Sequence, residues 1–262
     1  MLDLRLDKYS GGVWPESHVL AIDVSRWQGS RINWAEIKAS GVVLVIFKLT
    51  EGVGYKYAEW AVKQGRLARK AGLELAVYHF GTPWMLSAGG VDPIDEADSF
   101  LKWLDVFEDK AGQVLFAALD IEKASKIEAA KVGRDELTMW CHVWGSEIRR
   151  QRPDLVLYYY DPYRFARKMH RIPHYLDRVF RHWAADYWRP VGVPNLPPED
   201  GWTAEEDDDL HQYTSDLRLP GADSKLDGCA MLKSTFYRLV NARRSRPTIM
   251  RTVRGLLRMV GL

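Results

Sequence analysis

The chain alternates short apolar runs with longer amphipathic stretches. Runs of six to eight mostly apolar residues lie at 18–23, 42–49, 73–80, 114–121 and 155–160. They lack strict apolar–polar alternation, which reads as strands buried on both faces. Between them, 33–40, 57–71, 95–107 and 134–151 show helical periodicity, with Gly72 closing the second stretch and Pro153 stopping the last. Beyond residue 160 the helical pattern fades, and shorter strand-like pieces follow at 179–184, 210–213 and 225–229. Repeated strand–helix units imply a parallel sheet. About five such units, followed by strands with little helix between them, predict an α/β fold: an irregular, TIM-like βα barrel with a C-terminal helical extension. Chemistry in such barrels sits at the C-terminal ends of the strands. Asp23, Lys48, His79, Asp120, Glu122, Tyr159 and Tyr160 all fall at or near those ends. The stretch 192–209, with seven acids, reads as a loop, and no internal repeat is evident.

The fourth run carries the strongest chemical signal. It reads Val-Leu-Phe-Ala-Ala-Leu-Asp-Ile-Glu over 114–122, so two carboxylic acids stand two residues apart at the end of a buried strand. Strand side chains alternate faces, which points Asp120 and Glu122 the same way, roughly 6.6 Å apart along the strand. An apolar wall beneath two acids raises the pKa of at least one. One protonated and one ionised carboxyl is what glycoside hydrolysis requires. An acidic strand end that is simply solvated is the alternative reading of this segment.

Composition narrows the class. An apolar fraction of 47% over 262 residues supplies a large core for one large or two small domains. Eleven Trp and twelve Tyr are many for this length, serving either as sugar-stacking platforms or as core and rim packing. The net charge of +2 hides an asymmetry: from Met231 onward there are eight basic residues and no acid, while the preceding chain holds 29 basic against 35 acidic, a net of −6. Cys141 and Cys229 are too few and too far apart for a disulfide framework, and Cys141 is expected as a buried free thiol.

Seven segments in order resemble glycoside hydrolase family 25 lysozymes. They are Ala-Ile-Asp-Val-Ser-Arg-Trp-Gln-Gly (21–29), Phe-Lys-Leu-Thr-Glu-Gly (47–52), Ala-Gly-Leu-Glu-Leu-Ala-Val-Tyr-His-Phe (71–80), Leu-Asp-Ile-Glu (119–122), Trp-Ala-Ala-Asp-Tyr (183–187), His-Gln-Tyr-Thr-Ser (211–215) and Leu-Asp-Gly (226–228). The resemblance covers about residues 18–232. It implies a peptidoglycan hydrolase that cleaves the β-1,4 bond between N-acetylmuramic acid and N-acetylglucosamine. By motif, Glu122 would donate the proton, Asp120 would be the second carboxylate, and Asp23 and Asp227 would complete an acidic floor. Four converging carboxylates cannot all ionise cheaply, and the retained proton is assigned to Glu122. Asp120 could be a nucleophile, a base, or the group that orients a 2-acetamido oxygen in a substrate-assisted, retaining reaction, and the last is favoured. Tyr78, His79, Tyr159, Trp183, Tyr187 and Gln212 are the expected sugar contacts, with only one or two of Tyr158, Tyr159 and Tyr160 facing the cleft. Lys48 and Glu51 are expected to pair structurally. The sequence departs from the family at Leu226-Asp227-Gly228-Cys229, where Val-Asp-x-Asn is usual, which makes Asp227 the least secure of the four acids.

The expected organisation is an N-terminal extension (1–17), the catalytic barrel (18–232) and a basic amphipathic tail (233–262). In the tail, apolar residues from Ile249 to Val260 recur at helical spacing opposite Arg251, Arg254 and Arg258. That helix either packs on the barrel or a partner protein, or binds an anionic envelope surface. No base-stacking or groove motif accompanies the charge, so nucleic acid is not expected as a partner. No cofactor or metal is expected: His170 and His174 flank Pro173, and there is no His-Glu-x-x-His or Cys-x-x-Cys. The N-terminus shows no Sec-type signal pattern, which suggests release by lysis, a holin-type pore or a phage particle, as for an endolysin or virion-associated lysin. The competing readings are a non-catalytic carbohydrate-binding wall protein on the same barrel and a chitinase-like hydrolase.

Overall fold

The computed structural model describes residues 15–29, 31–84, 92–162, 165–170, 176, 178–187 and 210–246. Among them eight strands close a barrel in chain order: β1 His18–Val24, β2 Val42–Glu51, β3 Glu74–Phe80, β4 Phe116–Asp120, β5 Val156–Pro162, β6 Arg181–Ala185, β7 Leu210–Leu217 and β8 Leu226–Leu232. Strands β1 to β7 pair in parallel, and β8 runs antiparallel to both β7 and β1. The helices are α1 Trp34–Ala39, α2 Ala58–Lys70, α3 Pro93–Ala111, α4 Ala124–Ala129, α5 Arg134–Gln151, α6 Phe165–Met169 and α7 Lys233–Arg244. The predicted strand–helix alternation holds through β5. The irregularity falls where the helical pattern fades: β7 and β8 are joined without a helix, so the last strand returns antiparallel.

Strand alternation separates two apolar layers. Ala21, Leu44, Ile46, Ala76, Phe116, Ala118, Tyr158 and Met231 fill the barrel interior. Their chain neighbours, such as Ile22, Phe47, Val77, Ala117 and Leu119, pack outward against Phe100, Phe107, Trp140 and Trp144 of α3 and α5. That two-sided burial is why the runs read as continuously apolar.

The N-terminal mouth of the barrel is plugged by α7. Phe236, Leu239 and Val240 join the interior cluster. Arg243 forms an ion pair with Glu74 at the start of β3, and Arg246 donates to the Val114 carbonyl at 3.0 Å. The barrel unit therefore runs past the boundary expected at residue 232 and takes in the first part of the basic stretch. The amphipathic pattern from Ile249 onward lies outside the described residues, as do most of the N-terminal extension and the acidic loop. Both cysteines are buried and free. No helix among the described residues is long and apolar enough to cross a membrane.

Candidate active site

At the opposite, C-terminal mouth the strands deliver four acids. Asp23 near the end of β1 lies in register with Asp227 at the start of antiparallel β8. This reversal brings an acid from the beginning of one strand beside an acid from the end of another. Asp120 closes β4, and Glu122 follows just beyond the strand end. Phe80 pairs with Asp120 in register, and the Gly81 N–H donates to the Asp120 carbonyl at 2.9 Å. A Cβ on Gly81 would come within 2.3 Å of Ile121 Cδ1, so glycine is what lets the chain after β3 lie against the end of β4.

The two central acids are held very differently. Asp120 is buried, and its Oδ1 has no hydrogen-bond partner among the described residues. The Glu122 side chain is 32% exposed and lies 3.2 Å from Lys123 Nζ. On the floor, Asp23 Oδ2 accepts from Gln212 Nε2 at 2.9 Å and from the Cys229 thiol at 3.4 Å. The Cys229 thiol thus supplies a donor where the resembling family usually has Asn. Gln212 Oε1 in turn accepts from the hydroxyls of Tyr160 at 2.5 Å and Tyr187 at 3.3 Å.

Burial sets the electrostatics. It pushes the Asp120 carboxyl well above the usual range, the charge of Glu122 adds to this, and Lys48 and Lys123 oppose it. Asp23 is also raised well above its ordinary value, by burial and then by Asp227. Asp227 is raised to about 6 by burial and by Glu122. The Tyr78 hydroxyl is pushed up by burial and by all four acids, which places it among them. Burial therefore favours a retained proton at both Asp120 and Asp23.

Asp227 gives a test through stability. Its folded pKa of about 6 lies above the usual 3.8, so its contribution to stability is full below about pH 4 and is lost as pH rises through 6. Asp227→Asn removes that loss. At about 1.4 kcal/mol per pH unit, the variant should gain on the order of 2–3 kcal/mol over wild type between pH 4 and pH 7. Melting curves should show this as a difference growing by roughly 5–10 °C across that range. A difference that does not change with pH would mean Asp227 carries no such strain.

Of the expected sugar contacts, Tyr78, Trp183, Tyr187 and Gln212 come together at the cleft. Trp183 packs edge-on against Tyr78 and Tyr160, with ring centroids 6.4 and 4.9 Å apart. Tyr187 is 39% exposed at the rim. His79 and Tyr159 do not reach the cleft, because odd positions of β3 and β5 face outward. His79 bonds Glu96 Oε2 and Thr50 Oγ1, each at 2.8 Å, and stacks on Trp144. The Tyr159 hydroxyl bonds His170 Nε2 at 2.8 Å in the outer layer. Tyr160 takes the place expected for Tyr159, and strand parity with Asp120, its register partner, was the signal that could have selected it. Lys48 and Glu51 pair as expected at 2.7 Å, yet Lys48 also acts on Asp120. His170, weighed as a metal ligand, is buried with its pKa lowered to about 4, and bonds Thr138 and Tyr159. His174 lies outside the described residues. Among the described residues no group of three or more His, Cys, Asp or Glu is placed to hold a metal ion.

The family model for glycosyl hydrolases family 25 matches residues 22–222. The chain belongs to this family. It is a glycoside hydrolase, and the barrel is the family's. A bacterial lysozyme from Streptomyces coelicolor is 23% identical over 88% of this chain and 100% of its own, with a TM-score of 0.67. The catalytic domain of an endolysin from bacteriophage P40 of Listeria monocytogenes is 23% identical over 86% and 98%, with a TM-score of 0.65. A muramidase from Acremonium alcalophilum is 18% identical over 87% and 100%, with a TM-score of 0.64. At these identities the likeness establishes the fold. No curated protein matches the chain.

Proposed function

We propose that this glycoside hydrolase cleaves the β-1,4 bond between N-acetylmuramic acid and N-acetylglucosamine in peptidoglycan. In this reading Glu122 donates a proton to the leaving oxygen. Asp120 orients the 2-acetamido group, whose oxygen attacks the anomeric carbon, and the configuration is retained. The observation that carries it is the unpartnered, buried Oδ1 of Asp120 beside a more exposed Glu122. A buried oxygen without a donor costs free energy unless a ligand supplies one, and an acetamido N–H is such a donor. Burial and the charge of Glu122 disfavour the ionised form of Asp120, and Lys48 and Lys123 oppose them. When Glu122 holds the proton it donates, its repulsion is gone and Asp120 can ionise, which is the form that stabilises positive charge on the acetamido group as the ring intermediate develops. The Glu122 carboxyl is open at the cleft, and in this reading the bound saccharide excludes water from it and brings it to the bond to be cleaved. Asp23, clamped by Gln212 and Cys229, and Asp227 form the floor that keeps the cleft acidic. Tyr78, Tyr160 and Trp183 shape the wall, and Tyr187 offers a ring at the rim.

Support for peptidoglycan comes from the family and from the lysozymes, muramidases and endolysins that share the fold. The test is digestion of purified peptidoglycan with mass spectrometry of the products. New reducing ends on N-acetylmuramic acid support the proposal. Reducing ends only on N-acetylglucosamine, or digestion only of unmodified N-acetylglucosamine polymers, would replace it with another hydrolase.

A further inference from the structure

The catalytic mouth carries a patch that the reaction does not use. Directly after β1, a single tight turn at Arg26–Gln28 is fixed by its own side chains. Gln28 Oε1 accepts from Ser25 N at 2.7 Å, and Ser25 Oγ accepts from Trp27 N at 3.2 Å. The turn is tied to α2, where Trp60 Nε1 donates to the Gly29 carbonyl at 3.1 Å. On this rigid mount the Trp27 side chain is 90% exposed. A large ring held outward on a braced turn gains only when something covers it.

Arg26, the chain neighbour of Trp27, and the residues it meets define what that something is. The Arg26 guanidinium lies 5.8 Å and Lys56 Nζ 5.1 Å from the centre of the Tyr57 ring, itself 38% exposed. Neither cation has a carboxylate partner among the described residues. Tyr57 meets Tyr55 edge-on at 5.6 Å, and Lys48 Nζ sits 5.6 Å from the Tyr55 ring. Lys48 Nζ also lies 4.1 Å from the centre of the Phe80 ring, and Phe80 is the register partner of Asp120, so the patch adjoins the acids. Its composition, exposed rings with unpaired positive charge, complements a ligand that has both sugar faces and carboxylates. A plain N-acetylated sugar polymer has no carboxylate, whereas a glycan unit bearing its peptide stem has several.

We propose that Arg26, Trp27, Lys56 and Tyr57 form a second binding surface that holds a glycan unit carrying its peptide stem. The rings stack on the sugar, and the two cations pair with stem carboxylates. This rests on the peptidoglycan reading above and deepens it: the surface would favour peptide-bearing strands over stripped ones.

The test compares wild type with the double variant Arg26→Ala/Lys56→Ala and with Trp27→Ala. The substrates are intact peptidoglycan and the same strands after an amidase has removed the stems. All the altered side chains are exposed, and unchanged melting temperatures will show that the fold is retained. The double variant should raise KM about 5–10-fold on peptide-bearing strands, consistent with two exposed charge pairs, and by a smaller factor on stripped ones, where the amidase leaves a single lactyl carboxylate on each N-acetylmuramic acid. The difference should shrink in high salt. Trp27→Ala should weaken both substrates. An equal effect of the double variant on both substrates, or none on either, overturns the proposal. Co-sedimentation with insoluble peptidoglycan reads the surface separately from catalysis. If wild type hydrolyses neither substrate, salt-sensitive loss of binding in the double variant still supports the surface while the proposed reaction fails, and unchanged binding overturns the surface.

Discussion

Glu122→Gln will reduce hydrolysis of peptidoglycan by about 10²–10⁴-fold, the contribution typical of a positioned general acid. The glutamine keeps the shape of the side chain and cannot donate a proton to a leaving oxygen. The Glu122 side chain is partly exposed and, among the described residues, forms an ion pair only with the neighbouring Lys123, so the barrel has little to lose from the change. The variant should therefore melt close to wild type. Initial rates on purified peptidoglycan, with circular dichroism as the check on folding, decide the matter. A purified, folded variant within a few-fold of wild type removes Glu122 from the donor role.

Asp120→Asn should be equally damaging, at about 10²-fold or more, for a different reason. The substitution keeps an oxygen at the strand end and removes the negative charge that stabilises the acetamido group as it attacks. Burial and Glu122 already disfavour that charge in the free protein, so its loss should leave the melting temperature at neutral pH unchanged or raised. Activity and stability then move apart, which separates a chemical role from a structural one. NMR of the first-formed product should show the retained anomer in wild type. An inverted product would exclude substrate assistance and make Asp120 or a neighbour the base for a water, since retention and inversion demand different carboxyl geometries.

Much of this was legible along the chain because it depends on local pattern. Continuous apolar runs of β-forming residues ending in Asp120 or Asp23 specify strands buried on both faces, with acids at one end, whatever lies around them. Helical stretches between those runs specify parallel order. The resemblance of seven segments located the same four acids. What failed did so where parity or distance matters. Tyr158, Tyr159 and Tyr160 are chemically alike, and only the pairing of β5 with β4 decides that Tyr160 shares the inside with Asp120. His79 stands at the right end of β3 but on its outer side, where Glu96 and Thr50 hold it. The basic stretch after residue 232 read as a tail because eight positive charges without an acid look unpaired in sequence. Within it, Arg243 pairs with Glu74, 169 residues away along the chain.

The sequence by itself determined the strands, their parallel order through β5 and the acids at their ends, because backbone preference and burial on two faces act over a few residues at a time. The closed structure decided the rest. Antiparallel β8 places Asp227 against Asp23, and Gln212 and Cys229 reach Asp23 across intervals of 189 and 206 residues. Those distances along the chain carry no local signal. The depth at which each carboxyl is buried, which sets Asp120 and Asp23 apart from Glu122, exists only once the barrel excludes water from one end of its own strands.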